Sequence, residues 1–388
     1  MYPKLSDLIN DLFGTDINLP IQSYGFFLAL AFLTGAFILY KELERKEKEG
    51  ILECETKTII KGKLPTVSET ILNFVIGLLI GWKMIGLFWN YSAFADDPQE
   101  YLFSGEGSWI GGIIFGAAYA GYFYYSKNKN KLVPPIEEKV VVHPKEHAWP
   151  ILFIAVIGGI VGAKVFHWFE NWDEFINDPI GALISFSGLT FYGGLIVAFT
   201  AATYYGYKHK IGVKQLLDAA APGLIIAYGI GRIGCQVAGD GDWGIVNTHV
   251  KPGWLSFLPD WMWAYTYPHN IMNDGVLIPG CSGPHCYELA EAVFPTPFYE
   301  TMMTILIFSI LWFLRKKIKI PGELFAIYLM FNGLERFLIE KIRINNVFDL
   351  LGMRVTQAEI ISTIIFLSGL GLMIYFQKSY KPNASHDK

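Results

Sequence analysis

The chain has 388 residues and a mean hydropathy of +0.34, with 52% hydrophobic and only 17% charged residues. This composition excludes a soluble globular protein and indicates a polytopic membrane protein. The net charge of -4, with basic residues spread over short loops, excludes nucleic acid as a partner.

The first 20 residues do not resemble a cleavable signal peptide, because no basic region precedes an apolar core. Apolar residues instead follow helical spacing from Leu5 to Phe13. This pattern predicts a short amphipathic helix lying in the membrane interface.

Nine apolar segments have the ~20 residues needed to span a bilayer. They predict an all-α fold with about nine transmembrane helices. The segments lie near residues 22–40, 70–91, 109–125, 149–169, 185–206, 216–236, 298–314, 321–338 and 358–376.

The charges of the connections predict the orientation. Lysine and arginine follow the first, third, fifth and seventh spans, whereas 92–108 and 170–184 contain neither and 237–297 contains only Lys251. Because basic loops stay in the cytoplasm, the N-terminus is expected outside and the C-terminus inside. The connection after the eighth span disagrees, since it holds Lys341, Arg343 and Arg354 although it is expected outside. Either these residues are functional or the number of spans differs.

The two helices of 70–127 and the two that begin at 149 form an internal repeat. A spacing of 81 residues matches Gly81 with Gly162 and Lys83 with Lys164, and the matches continue through polar positions between the spans. Duplication of a two-span unit, with both copies in parallel orientation, explains this pattern. The other matched pairs include Asp97 with Asp178, Pro98 with Pro179, Ser104 with Ser185, Gly107 with Gly188 and, after a shift of one residue, Gly111-Gly112 with Gly193-Gly194.

Tyr192 replaces Ile110 of the first copy beside the paired glycines. Two interpretations are open: the second copy alone has a polar site, or Tyr192 belongs to the aromatic belt at the membrane interface.

The stretch from Tyr228 to Gly244 organises the chain. Arg232 lies near the end of an apolar span and is followed by glycines and by the carboxylates of Asp240 and Asp242. An arginine at mid-bilayer costs ~2.5 to 3.5 kcal/mol, so Arg232 is expected to face a polar cavity or partner, or else to reach the headgroups from the helix end. The two aspartates are not a calcium motif, because no further ligands follow at loop spacing.

The 237–297 connection is the largest loop, and its tryptophans and tyrosines form either an aromatic girdle or a substrate entrance. Its Cys281 and Cys286 are expected to form a disulfide if the loop is extracytoplasmic. A metal site with His285 is the weaker hypothesis, since these three residues leave a tetrahedral zinc shell incomplete. No metal and no cofactor are predicted.

The predicted topology gathers polar residues at the outer membrane boundary. Arginine's planar fork binds phosphate oxygens, so this cluster favours an anionic lipid headgroup as ligand. The alternative is a buried network in which Glu335, Glu340 or Glu300 pairs the arginines without any ligand. The residues of the cluster are Tyr24, Tyr192, Arg232, Tyr299, Glu300 and Arg336.

Five segments resemble the motifs of the prolipoprotein diacylglyceryl transferase family. The resemblance covers about residues 20–40 and 150–376, so the first repeat copy looks like an addition. The segments are Ser23-Tyr24-Gly25, Thr190-Phe191-Tyr192-Gly193-Gly194-Leu195, Gly231-Arg232-Ile233-Gly234 through Trp243-Gly244, Pro295-Thr296-Pro297-Phe298-Tyr299-Glu300, and the late segment with Arg336, Glu340 and Arg343.

The sequence departs from the family pattern at several positions. Tyr192 stands at the family's catalytic histidine, Cys235 and Ala238 stand at asparagines, and Asp240 stands at a glutamate with one extra residue before Trp243-Gly244. The resemblance therefore leaves the proton acceptor open between Tyr192 and Asp240, and an inactive paralogue remains an alternative.

The resemblance implies transfer of an sn-1,2-diacylglyceryl group from phosphatidylglycerol to the lipobox cysteine of a prolipoprotein, at the outer-leaflet side of a bacterial inner membrane. It implies catalytic roles for Tyr24, Tyr192, Arg232, Asp240 and Arg336. Phosphatidylglycerol, prolipoprotein signal peptides and membrane lipids are the expected partners. The implied substrate-binding residues are Tyr24, Gly193, Gly194, Gly231, Arg232, Gly234, Gly239, Gly244, Tyr299, Glu300, Arg336, Glu340 and Arg343.

A transporter of a small anionic or lipid-like solute and a non-catalytic phospholipid-binding protein are the rival hypotheses; Lys83 and Lys164 favour the transporter. The predicted organisation is an interfacial N-terminus at 1–20, a first helix at 21–41, the additional repeat copy at 70–127, core helices at 149–236, an extracytoplasmic region at 237–297 and C-terminal helices at 298–388.

Overall fold

A computed structural model describes residues 1–96, 101–102, 104–177, 179, 190–345, 347–350 and 353–380. Within these residues the protein is mainly helical, with three two-stranded antiparallel sheets, β1 with β2, β3 with β4 and β5 with β6. The helices are α1 Leu5–Phe13, α2 Ser23–Lys48, α3 Val67–Gly86, α4 Tyr91–Asp96, α5 Trp109–Lys129, α6 Ala148–Glu170, α7 Trp172–Asn177, α8 Phe191–Lys208, α9 Val213–Ala238, α10 Thr296–Leu314, α11 Glu323–Glu340 and α12 Gln357–Ser379. The strands are β1 Glu55–Lys61, β2 Ile136–Val142, β3 Val276–Leu277, β4 Tyr287–Glu288, β5 Val347–Leu350 and β6 Met353–Thr356.

Each of the nine predicted spans corresponds to a helix of the described chain, although the predicted start of the fifth at 185 lies outside the described residues. Among the described residues, six helices are long and apolar enough to cross a membrane, which makes the protein a polytopic membrane protein. Membrane crossing by α5, α8 and α11 is part of the nine-span topology that is proposed below. The six are Ser23–Lys48, Val67–Gly86, Pro144–Glu170, Val213–Ala238, Thr296–Leu314 and Gln357–Ser379.

Local sequence explains several helix ends. At the start of α3 the Thr66 hydroxyl accepts a hydrogen bond from the Glu69 backbone amide, and the Glu69 side chain accepts one from the Thr66 backbone amide. This reciprocal pair is a capping box, and Thr356 and Glu359 form the same arrangement at the start of α12. The predicted N-terminal helix is confirmed as α1.

Both repeat copies are helix pairs held together by glycines at equivalent positions. A Cβ on Gly81 would lie 2.4 Å from Phe115 Cβ in the α3–α5 pair, and a Cβ on Gly162 would lie 2.4 Å from the Gly193 oxygen in the α6–α8 pair. Each second helix is preceded by a matching hydrogen bond, from Ser108 N to Trp82 O and from Thr190 N to Ala163 O. The repeat positions at 97, 98, 178, 185 and 188 lie outside the described residues.

Lys83 has a structural role. Its ammonium group donates to the backbone oxygens of Tyr101, Ser104 and Glu106 at 2.6, 2.8 and 2.8 Å. Three carbonyls of the following loop thus satisfy the three donors of Lys83.

Helix α9 is the central element of the remaining bundle and packs against α2, α10 and α11, while α11 also packs against α12. A buried cluster of Ile225, Ile307, Leu311 and Leu324 joins α9, α10 and α11. Packing of α9 between α2 and α10 therefore sets the position of Arg232 relative to residues of three other helices.

The basic connection after the eighth span forms a turn and the β5–β6 hairpin. Lys341 pairs with Glu359, and Arg354 is the cross-strand partner of Asp349. Arg343 enters the ion-pair cluster described next. Lys341 and Arg343 of this connection are thus paired with carboxylates.

Candidate active site

The candidate site lies where the ends of three helices meet. Arg232 is near the C-terminal end of α9, Glu300 is in the first turns of α10, and Arg336 and Glu340 are in the last turns of α11. Arg343 follows α11 and completes the arginine set. The polar residues are therefore near the ends of the helices and not at their middles.

Glu300 is the centre of the cluster, with 0% of its surface exposed. Its Oε2 lies 2.5 Å from Arg232 Nε, and its Oε1 lies 3.3 Å from Arg343 Nη1 and 3.6 Å from Arg336 Nη1. One buried carboxylate thus draws three guanidinium groups together, so Arg232 and Arg336 share a site despite the 104 positions between them.

Asp242 is the second bridge. Its two carboxylate oxygens pair with Arg232 and Arg343, and its backbone oxygen accepts the Thr296 hydroxyl at 2.6 Å. Gly244 lets this loop approach Arg343: the two residues form a β-bridge, and a Cβ on Gly244 would lie 2.4 Å from the Ile342 oxygen. Any side chain at Gly244 would separate the two segments.

Glu340 orients Arg336. Its Oε2 lies 3.0 Å from Arg336 Nη2, while its Oε1 accepts the Asn345 amide at 2.6 Å and the Thr356 hydroxyl at 2.7 Å. Because Glu340 is only 4% exposed, these donors compensate for its lost hydration.

The arginines are therefore paired with carboxylates, as the ligand-free interpretation expects, but the cluster is not sealed. The side chains of Arg336 and Asp242 are each 27% exposed and that of Arg232 is 18% exposed. Arg336 Nη1 is buried and has no hydrogen-bond partner in the described part of the chain, although it lies 3.6 Å from Glu300 Oε1. The site thus combines a fixed cationic group with guanidinium side chains that remain partly exposed, as binding of an anion requires.

Tyr24 lies next to this cluster because α2 packs closely against α9. A Cβ on Gly234 would lie 3.0 Å from Phe27 Cβ and 3.4 Å from the Tyr24 backbone oxygen. Cys235 accepts a hydrogen bond from Arg232 Nη1 at 3.7 Å and is 5% exposed, so it is a small buried partner of the arginine.

Asp240 lies at the edge of the cluster. Its Oδ1 accepts the Asp242 amide at 3.3 Å, and burial raises the pKa of the Asp240 carboxyl, an effect reinforced by the nearby Asp242 charge and opposed by hydrogen bonds. Cys235, Asp240 and Asp242 each present a ligand atom within 4.8 Å of the others. Since the Arg232 guanidinium contacts Asp242 and Cys235, a metal cation is disfavoured at this position.

Tyr192 and Tyr299 form no hydrogen bond with the arginines among the described residues. Tyr192, in the first turn of α8, is 43% exposed and its ring contacts Phe191, and in the described part of the chain it has no hydrogen bond to the cluster. The Tyr299 hydroxyl donates to the Trp263 oxygen at 3.2 Å. Their predicted site roles therefore have no direct contact in support.

The glycines differ in what surrounds them. A Cβ on Gly193 would lie 2.3 Å from Phe166 Cβ and one on Gly194 would lie 2.9 Å from the Gly159 oxygen, so both are needed for packing of α8 on α6. Gly239 has a φ of +64° and ends α9 in the left-handed conformation. Gly231 alone among the predicted site glycines has no atom within 4 Å of its added Cβ in the part of the chain that the structure describes.

Sequence reasoning missed two members of the site: Asp242 as an ion-pair bridge and Thr296. Glu335, which the ligand-free alternative named as a partner of the arginines, is 1% exposed, and neither of its carboxylate oxygens has a hydrogen-bond partner among the described residues. Asp242 was visible as one of two carboxylates after Arg232.

The profile of the family described as "Prolipoprotein diacylglyceryl transferase" matches residues 136–375, which is more than half of the chain. The chain belongs to the prolipoprotein diacylglyceryl transferase family. The site residues Arg232, Glu300 and Arg336 all lie in the matched region, whereas α3 and α5 lie before it.

Members of this family from several bacteria are similar to the chain over most of its length. A phosphatidylglycerol–prolipoprotein diacylglyceryl transferase of Dehalococcoides mccartyi is 28% identical over 230 residues, covering 59% of this chain and 76% of the relative. The enzymes of the same name from Staphylococcus haemolyticus and Staphylococcus carnosus are 26% and 27% identical, covering 71% and 75% of this chain and 86% and 94% of the relatives.

Proposed function

We propose that this chain transfers the diacylglyceryl group of phosphatidylglycerol to a prolipoprotein, with the thiol of the lipobox cysteine as acceptor. Membership of the family supports the reaction. The assignment of the reaction to this site rests on one observation: Arg232, Arg336 and Arg343 all contact the buried carboxylate of Glu300.

Arg232 and Arg336 hold the phosphate in this proposal. Each guanidinium group has five N–H donors, of which the carboxylates use only some. The carboxylate of Asp242 lies between the guanidinium groups of Arg232 and Arg343. Because a guanidinium group binds carboxylate and phosphate oxygens in the same planar, two-donor geometry, these arginines also suit a phosphate. Tyr24, packed beside Gly234, is assigned as an additional hydrogen-bond donor to the phosphate.

The reaction is a displacement at the glycerol carbon that carries the phosphate. A bond forms between the cysteine sulfur and this carbon, and the bond from the carbon to the phosphate oxygen breaks. Glycerol-1-phosphate leaves with the electron pair. Because the leaving phosphate gains negative charge, donors already aimed at it lower the barrier.

Asp240 is assigned as acceptor of the thiol proton. A free thiol has a pKa near ~8.5, so only a moderately basic partner is required. Burial raises the pKa of Asp240 and so makes it a better base than an exposed aspartate. Tyr192, at the position of the family histidine, is the second candidate, although it forms no hydrogen bond with the arginines in the part of the chain that the structure describes.

The open space beside Gly231 is assigned to the lipid, which must approach Arg232 closely. Gly234, Gly239 and Gly244 support the site indirectly through the packing of α2, the end of α9 and the approach of Arg343.

The proposed topology has nine spans in a bacterial inner membrane, with the N-terminus and the arginine cluster at the outer face and the C-terminus inside. The segment boundaries expected from the sequence are retained. The disulfide between Cys281 and Cys286 supports this orientation, because the loop after α9 lies on the same side as Arg232 and disulfides form in oxidising compartments.

The test is complementation of bacterial cells depleted of their own transferase, together with transfer from labelled phosphatidylglycerol to a lipobox peptide by the purified protein. Wild type is expected to support growth and to label the peptide, whereas Arg232→Ala is expected to do neither while remaining folded in the membrane. Full activity of Arg232→Ala refutes the site. Binding of phosphatidylglycerol without transfer by the wild type instead indicates a non-catalytic lipid-binding protein.

A further inference from the structure

A second cluster of ligand-type side chains lies at the opposite end of α2 from Tyr24. Glu47 is in the last turn of α2, Cys54 directly precedes β1, and His143 directly follows β2. Along the chain His143 is 96 residues from Glu47 and 89 residues from Cys54. Their meeting therefore results from the fold and not from local sequence.

The antiparallel pairing of β1 with β2 brings Cys54 and His143 together. Glu55 pairs with Val142, so the next position of the same register sets Cys54 opposite His143. Cross-strand neighbours have Cβ atoms ~4.5 to 5.5 Å apart, which lets their side chains meet. The last turn of α2 then supplies Glu47 to the same point.

The ligand atoms are close enough to share one ion. Cys54 Sγ lies 3.5 Å from His143 Nδ1 and 3.3 Å from Glu47 Oε1, and His143 Nδ1 lies 2.6 Å from Glu47 Oε1. A tetrahedral zinc ion with standard bond lengths separates a sulfur from a nitrogen or oxygen ligand by ~3.5 Å and a nitrogen from an oxygen by ~3.3 Å. Two of the three separations match this geometry, and the third needs an opening of less than ~1 Å.

We propose that Glu47, Cys54 and His143 bind a zinc ion that joins the β1–β2 sheet to the end of α2. A thiolate, an imidazole and a carboxylate are ligands that zinc prefers, and the fourth position is left to water. The His143 side chain is 42% exposed and that of Glu47 is 20% exposed, so the ion can enter from solvent.

The site would anchor the additional repeat copy. Strand β1 leads into α3 and strand β2 follows α5, so the two strands are the connection between this helix pair and the rest of the protein. Glu47 and Cys54 lie outside the family match at residues 136–375, and none of the three proposed ligands is among the residues assigned to the transferase reaction.

A neighbouring cluster of Glu55, His147 and His209 provides a matched control. Its ring nitrogens already have other partners, since His209 Nδ1 lies 3.3 Å from Lys57 Nζ and His147 Nδ1 lies 3.0 Å from the Tyr205 hydroxyl. His209 contacts Glu55, the residue after Cys54, at 3.2 Å, so its removal takes away a nearby histidine in the fold without taking away a proposed ligand.

The experiment measures the metal content of the full-length protein after incubation with Zn²⁺ and gel filtration, in wild type, Cys54→Ser, His143→Gln and His209→Gln. One equivalent of zinc is expected in wild type and in His209→Gln, with loss of the equivalent in Cys54→Ser and His143→Gln. Replacement by Co²⁺ is expected to give a sulfur-to-cobalt charge-transfer band that Cys54→Ser abolishes.

A second measurement follows protease cleavage of the segments that flank β1 and β2. Zinc is expected to slow cleavage there in wild type and to have no effect in Cys54→Ser. Any of three results would overturn the proposal. The wild-type protein could bind no zinc, Cys54→Ser could retain zinc, or His209→Gln could be the one variant that loses zinc.

Discussion

Replacement of Arg336 by alanine separates phosphate binding from folding. The central Glu300 carboxylate keeps Arg232 at 2.5 Å and Arg343 at 3.3 Å when Arg336 is removed. Glu340 loses the partner of its Oε2 but keeps both donors on its Oε1. We therefore expect a loss of stability of ~1 to 3 kcal/mol, less than the ~3 to 5 kcal/mol of a buried charge left wholly unpaired.

The expected loss of activity is larger. Removing one preorganised donor to a developing negative charge typically lowers kcat by ~10² to 10³, which corresponds to ~2.7 to 4 kcal/mol of transition-state stabilisation. Arg336→Lys keeps the charge without the planar fork, so its activity is expected between those of wild type and Arg336→Ala.

Initial rates of transfer from phosphatidylglycerol to a lipobox peptide measure this loss. Arg315→Ala is the matched control, because Arg315 also shares a buried glutamate, Glu42, with a second arginine, Arg45, outside the candidate site. The control is expected to lose comparable stability and little activity. Activity of Arg336→Ala within threefold of wild type, or an equal loss in Arg315→Ala, would refute the assigned role.

Three further predictions concern the proton acceptor, the lipid space and the added helix pair. Asp240→Asn is expected to abolish transfer while Tyr192→Phe stays active. Because burial raises the pKa of Asp240 and only its ionised form accepts a proton, wild-type kcat/KM should begin to fall with decreasing pH above the ~3.9 of an exposed aspartate; an active Asp240→Asn variant contradicts this. Gly231→Leu is expected to raise the KM for phosphatidylglycerol with unchanged thermal stability, whereas Gly234→Val should destabilise the α2–α9 contact by ~1 to 3 kcal/mol. Lys83→Met should lower thermal stability without lowering kcat, since it leaves three carbonyls unpaired; a selective loss of activity would instead indicate a functional lysine.

The ion-pair partners explain why site prediction from sequence was incomplete. Arg232 was identifiable because a charge at the end of an apolar span is costly and so requires a reason. Asp242 makes equally specific contacts, but it lies in a connection, where charged residues are common, and Arg343 was assigned to the site only through the resemblance to the family. Likewise, Gly193 and Gly194 had the pattern of a lipid contact, whereas their neighbours on α6 show that close helix packing alone requires them.

The sequence by itself determined the helical segments, the duplicated pair and the family of the protein, because hydropathy and short motifs are properties of neighbouring residues. Only the tertiary structure decided which carboxylate holds which arginine. Glu300 meets Arg232, Arg336 and Arg343 because α9, α10 and α11 pack together, and such contacts between distant residues depend on helix packing that no local pattern records.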